Sequence, residues 1–219
     1  MKKLILSIAF IALGAMAINA QDDTKGNFQS QERFMFVNGD VLQIRDRDQI
    51  RLKDKITLND GTTLNTNGAF QTRNREQLKM QNGECLDQDG ILYRNEYQYR
   101  YKIQQENKGL TQPQIQERNQ NRIHYMLVEG EVFQIRNQFQ NRLENEQNLG
   151  NGIILRPDGT YQTRNQEQLR LQDGECINMN GEEFKNTYQL RKNEAKRNMV
   201  KSKVQKKPPI KKQALKKGN

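Results

Sequence analysis

Gln71-Thr72-Arg73-Asn74-Arg75-Glu76-Gln77-Leu78 returns, 91 residues on, as Gln162-Thr163-Arg164-Asn165-Gln166-Glu167-Gln168-Leu169. Working outward from this octet, residues 34–100 align with 125–191 without a gap, and about two-fifths of the positions are identical. The match continues as Gly83-Glu84-Cys85 against Gly174-Glu175-Cys176. The chain is an internal duplication. Inside each copy glycine recurs every 22 residues, at Gly39, Gly61 and Gly83 and again at Gly130, Gly152 and Gly174. A large apolar residue precedes each glycine by three places (Phe36, Leu58, Met80, Leu127, Leu149, Leu171) and another follows by three (Leu42, Leu64, Leu86, Phe133, Leu155, Ile177). The residue just before is Asn38, Asp60, Asn82, Glu129, Asn151 or Asp173. Asn-Gly and Asp-Gly between short apolar-flanked runs are hairpin turns, because both residues tolerate the positive φ that a tight turn needs.

A second set of turns falls at Gly68, Gly90, Gly159 and Gly181. The spaces between turns hold strands of about five residues, and glycine recurs too often for a helix inside the copies. The spacing predicts an all-β chain: two tandem small antiparallel meander domains of β-hairpins, with a disordered basic C-terminal tail. The boundaries read as a signal peptide over 1–20, a first copy over 31–103, a loose polar linker over 104–121, a second copy over 122–192 and a disordered tail over 193–219. Tyr97, Tyr99, Tyr101 and Ile103 alternate with polar residues as in a strand with one apolar face. Strand register is left open, since a one-residue shift exchanges the two faces.

Location and charge follow from the two ends. Lys2 and Lys3, an apolar run from Leu4 to Leu13 and small residues up to Ala20 form the three-part pattern of an exported protein, periplasmic or extracellular, with cleavage after Ala20. That run is too short for a permanent span. The formal charge of +10 is concentrated at the other end: Arg191–Asn219 holds twelve Lys or Arg against the single acid Glu194. Residues 21–190 are mildly acidic, so an anionic partner is to be sought at Lys201, Lys203, Lys206, Lys207, Lys211, Lys212, Lys216 and Lys217. Lysine binds phosphates and acidic sugars as point charges, and no aromatic interleaves to stack on bases.

The residues of catalysis are sparse. Cys85 and Cys176 occupy a slot filled elsewhere by Val, Thr and Ile, which reads first as a buried strand position. A disulfide between copies or between molecules is the second reading, and a nucleophile the third. The lone His124 reads as a surface residue, with no further His or Cys at zinc spacing. Asp87-Gln88-Asp89-Gly90 has the look of a calcium loop, but its equivalent Asn178-Met179-Asn180-Gly181 keeps the turn and loses both carboxylates, so a turn explains both. The recurring acids Glu76, Glu84, Glu167 and Glu175 read as solvated strand residues rather than a glycosidase pair. No catalytic residue, cofactor, metal or small-molecule substrate is indicated.

The Leu-x-Asp/Asn-Gly-x-x-Leu units, the Gly-Glu-Cys-Leu/Ile core and the following Asp/Asn-Gly resemble an uncharacterised domain family of secreted Bacteroidota-type proteins, over residues 34–93 and 125–184. The resemblance implies two tandem copies of one domain and brings no activity with it. A weaker similarity, to hairpin-array repeats of about 22 residues, implies a scaffold. The expectation is an exported, non-enzymatic repeat protein with a structural or binding role. The alternative is a binder of lipopolysaccharide, acidic polysaccharide, extracellular DNA or membrane surfaces through its tail.

Overall fold

The computed structural model describes residues 27–28, 32–120 and 122–205. In chain order the first copy contains β1 (Asn27–Phe28), β2 (Arg33–Val37), β3 (Asp40–Arg51), β4 (Ile56–Thr57), β5 (Thr63–Leu64), β6 (Ala69–Gln71), β7 (Gln77–Lys79), β8 (Cys85–Asp87), β9 (Leu92–Tyr93) and helix α1 (Glu96–Glu106). Helix α2 (Gln112–Asn119) connects to the second copy. There follow β10 (Ile123–Val128), β11 (Glu131–Arg142), β12 (Gln147–Asn148), β13 (Ile154–Leu155), β14 (Thr160–Gln162), β15 (Gln168–Arg170), β16 (Cys176–Asn178), β17 (Glu183–Phe184) and helix α3 (Thr187–Gln205). All strand pairs are antiparallel, as the turn spacing predicts.

Each copy opens with a long hairpin. Asn38-Gly39 joins β2 to β3 with φ of 48° and 88°, and Glu129-Gly130 joins β10 to β11 with 52° and 81°. Two successive positive φ angles give the turn whose twist matches that of the flanking strands. The two long strands β3 and β11 then lie side by side, so that both hairpins belong to one sheet. The third strand of each hairpin comes from the opposite copy: β16 adds to β2, and β8 adds to β10. The resulting nine-stranded sheet runs β17-β16-β2-β3-β11-β10-β8-β9, with β1 against β3.

The exchange extends to the short strands. Each forms its own four-stranded meander, β4–β7 or β12–β15. The first meander contributes Leu58, Leu64, Phe70 and Met80 to a core that Tyr125, Leu127 and Val132 of the second copy complete. Phe34, Phe36 and Val41 of the first copy do the same for Leu149, Leu155, Tyr161 and Leu171 of the second. Backbone bonds repeat the pattern in equivalent pairs. Gly83 N donates to Leu127 O at 2.8 Å as Gly174 N does to Phe36 O at 2.9 Å, and Leu52 N donates to Val132 O at 2.8 Å as Leu143 N does to Val41 O at 2.8 Å. The two copies thus build one intertwined body about a pseudo-twofold axis between β3 and β11.

Alternation along β2 shows the layering. Phe34 and Phe36 point to a meander, while Met35 and Val37 point to the other face, with Leu190 of α3. Every residue of β2 is buried because its sheet is covered on both sides. Beneath β10, Tyr99 and Ile103 of α1 pack on Met126, Val128 and Ile135.

Three expectations need correction. Tyr97, Tyr99, Tyr101 and Ile103 lie on α1, not on a strand. The stretch read as a loose linker, 104–121, contains the end of α1 and the whole of α2, whose start is fixed by Pro113 and by Thr111 with Gln114 in a capping box. The tail read as disordered from residue 193 is helical through Gln205. Residues 206–219, with six of the eight tail lysines, and the signal segment 1–20 lie outside the described residues, as do the side chains of Lys201 and Lys203. No helix among the described residues is long and apolar enough to cross a membrane.

Candidate functional site

The densest cluster of charge among the described residues lies at the axis. Asp46 on β3 and Asn137 on β11 face each other as register partners, where a bulge interrupts the ladder. Onto this point converge Arg33 from β2, Glu96 and Arg100 from α1, His124 from β10 and Arg191 from α3. All seven are at most 2% exposed.

The helices deliver their charges through local sequence. Asn95 caps α1 by accepting from Gln98 N at 3.0 Å. The inward stripe Glu96, Tyr99, Arg100, Ile103 follows the three-and-four spacing of a helix face. Glu96 Oε1 accepts from Arg33 Nη2 at 2.6 Å and Arg100 Nη2 at 2.7 Å, and Oε2 from Arg191 Nη2 at 2.9 Å. Asp46 Oδ2 accepts from Arg33 Nη1 at 2.7 Å and Arg191 Nη2 at 3.0 Å, and Oδ1 from Arg100 Nη2 at 3.0 Å. Arg100 Nη1 also donates to Asn137 Oδ1 at 3.0 Å, and Asn137 Nδ2 donates to the carbonyl of Asn119 at 3.1 Å.

The electrostatics follow from this geometry. Burial pushes both carboxyl groups up, but the surrounding guanidiniums outweigh it. Asp46 and Glu96 are held well below the usual carboxylate range, chiefly by Arg33 and Arg191 respectively. Burial drives His124 down to about 3 against the pull of Glu96. His124 is therefore a neutral imidazole, 4.5 Å from the ring of Tyr99 and with neither ring nitrogen hydrogen-bonded. This corrects the surface reading of His124, which is fully buried. The void beside Arg191, lined by Gln49, Val128, Phe133 and Ala195, is too tight to admit a water. The centre is a sealed ionic network.

The other sequence candidates lie elsewhere. The ten turn glycines, Gly39, Gly61, Gly68, Gly83, Gly90, Gly130, Gly152, Gly159, Gly174 and Gly181, have φ between 70° and 90°. Two of them also admit close approach: a Cβ on Gly68 would lie 2.8 Å from Leu127, and one on Gly159 2.6 Å from Phe36, where each meander seats on the other copy. Asp87 Oδ1 accepts from the amides of Asp89 and Ile91, and Asn178 Oδ1 from those of Asn180 and Glu182. The two residues close the same turn, which is why an amide can replace the carboxylate. Glu84 and Glu175 each accept a backbone amide three residues back, at 2.7 Å. They lock turns, while Glu76 and Glu167 are exposed on separate meanders.

Cys85 and Cys176 are free, buried thiols, and burial raises both pKa values, Cys176 to about 12. They lie on β8 and β16 with four strands between them. At about 4.8 Å per strand that is on the order of 24 Å, against roughly 7 Å between Cα atoms for a disulfide. An intramolecular bridge between them is excluded.

Fold and centre together define an all-β, duplicated, strand-exchanged body held by a buried ionic network. The chain belongs to the family described as domain of unknown function DUF6799, whose model matches residues 31–92 and 122–182. No curated protein and no solved structure matches it. Both matched segments end before the helices, so Glu96, Arg100 and Arg191 enter the centre from outside them.

Proposed function

We propose that the protein is an exported, non-enzymatic module with a structural or binding role in the cell envelope or outside the cell. One observation carries the reading. Among the described residues, the largest cluster of charged groups is sealed at the axis and bonded within itself, whereas the accessible concavities are open and polar. A groove of about 590 Å³ crosses the first meander past Lys55, Asn65, Gln71, Gln77 and Leu78, and one of about 440 Å³ lies by Gln43, Gln112, Gln116 and Asn141. Such surfaces suit adhesion to a polar polymer or protein better than enclosure of a small substrate. Export rests on the pattern of residues 1–20, as does the secreted Bacteroidota-type origin on the motifs quoted above.

A second reading, binding of anionic polymers through the tail, is favoured by the course of α3. The helix is anchored by Leu190, Arg191 and Ala195 and leads directly into the lysine-rich end. Lys192 pairs with Glu129 at 2.8 Å and Arg197 with Glu182 at 2.6 Å. Binding would thus fall to Lys201 and the residues beyond it.

Both readings are tested by retention of the mature chain on lipopolysaccharide, acidic polysaccharide and DNA, compared with a chain ending at Arg197 that keeps the centre intact. Retention by the full chain should fall steeply between about 50 and 200 mM salt through counterion release. Equal retention of the shortened chain defeats the tail reading and places binding on the meanders. Protein recovered from the cytoplasm with residues 1–20 intact defeats export.

A further inference from the structure

At an offset of 91 residues the centre falls into four equivalent pairs: Arg33 with His124, Asp46 with Asn137, Glu96 with Thr187, and Arg100 with Arg191. Only the last pair is identical. The first copy brings two guanidiniums and both carboxylates, and the second brings one guanidinium, a neutral imidazole, an amide and a hydroxyl. Because the partners meet across a pseudo-twofold axis, the composition of this spot depends on which copies pair.

We propose that the centre is a recognition code on the surface between copies: a second copy accepts a first copy as its partner and rejects another second copy. In the observed pairing each of Arg33, Arg100 and Arg191 bonds both carboxylates. Two second copies would bury two arginines, each equivalent to Arg191, with neither Asp46 nor Glu96 to receive them. Glu194, a further acid on α3, accepts from Gln49 Nε2 at 3.4 Å and acts on Arg191 only through longer-range attraction, without a hydrogen bond to it. An uncompensated buried guanidinium is among the costliest defects a protein interior can hold. The hairpins, the exchanged strands and the seating of the meanders are repeated in the two copies, although β1 lies against β3 where α2 lies against β11. Apart from that difference, the main elements of this surface offer either copy similar partners. The ligand of this surface is therefore the complementary copy, supplied by the same chain or by a second molecule of it that exchanges halves across the Asn107–Leu110 connection.

The experiment begins with the full chain carrying a protease site inserted at Gly109. Cut while folded, unfolded in denaturant and refolded as the whole mixture, the halves should recover only as one-to-one pairs of first and second. Second-half dimers in comparable amount would overturn the proposal. In the uncut chain, Asp46→Asn should lower the melting temperature by on the order of 10 °C. Asp46→Asn with Asn137→Asp moves the acid across the axis, where Arg100 already reaches residue 137, and should recover most of that loss. A single variant that melts like the parent, or a double variant no better than the single, would show that charge at the axis does not govern pairing.

Discussion

The meanders and the polar centre have diverged to opposite degrees. Gln71–Leu78 and Gln162–Leu169 differ at one position in eight, while three of the four equivalent pairs at the axis differ in charge or chemistry. The reason is geometric. A meander never meets its equivalent, so whatever sequence makes one good turn makes two. At the axis equivalent residues face one another, and two copies of Asp46 would place like charges opposite each other in the ladder. Symmetry rewards repetition away from the axis and penalises it on the axis.

That contrast breaks most sharply at Glu96. Replacing it with Ala removes the acceptor of three arginines in a sealed interior and should cost about 3–5 kcal/mol in denaturant unfolding, with loss of the fold an acceptable outcome. The equivalent change, Thr187→Ala, removes only a buried hydroxyl and should cost about 1 kcal/mol. Equal losses at the two positions would mean that the asymmetry carries no energetic weight.

The meanders should behave in the opposite way, symmetrically. Gly68→Val and Gly159→Val each force a branched side chain into positive φ and against Leu127 or Phe36. Each should cost about 1–3 kcal/mol, the two values agreeing closely. A large difference between them would show that the cross-copy seatings are not equivalent.

The pH effect is the most specific. His124 titrates near 3 when folded and about 6.5 when unfolded, so between those values the unfolded chain binds a proton that the native chain refuses. Stability should therefore fall as pH drops, by about 1.6 kcal/mol between pH 6.5 and 5. Asp46 and Glu96 have lowered pKa values, and their contribution is lost only as pH falls below the ordinary carboxylate range. His124→Phe should flatten the profile above pH 5 and leave the acid limb in place. An unchanged slope would assign the upper limb to another group.

Local structure was legible where it depended on local chemistry. Asn38-Gly39 and Asp158-Gly159 declare turns because few other pairs tolerate the backbone, and the shared slot of Cys85 and Cys176 declares burial. Helix α1 was missed because Tyr97, Tyr99 and Tyr101 give a period of two. Glu96, Tyr99, Arg100 and Ile103, at helical spacing behind the cap Asn95, carried the competing signal. The exchange of strands was not legible, since hydrophobic alternation in β8 is satisfied equally by β2 or by β10. His124 failed for the same reason: its burial is set by Glu96 and Tyr99, brought to it by the fold and not by sequence neighbours.

Arg191 stands far toward the C-terminus, yet it closes the ion pairs that Asp46 and Glu96 begin. A ribosome delivers the acids long before the last cation that neutralises them. Until β10, β11 and β16 exist, the hairpin β2–β3 has both flanks bare, a template for misdirected strand addition. Contacts this distant along the chain also slow folding. The first copy thus cannot close on its own and waits until the second has been made through Arg191.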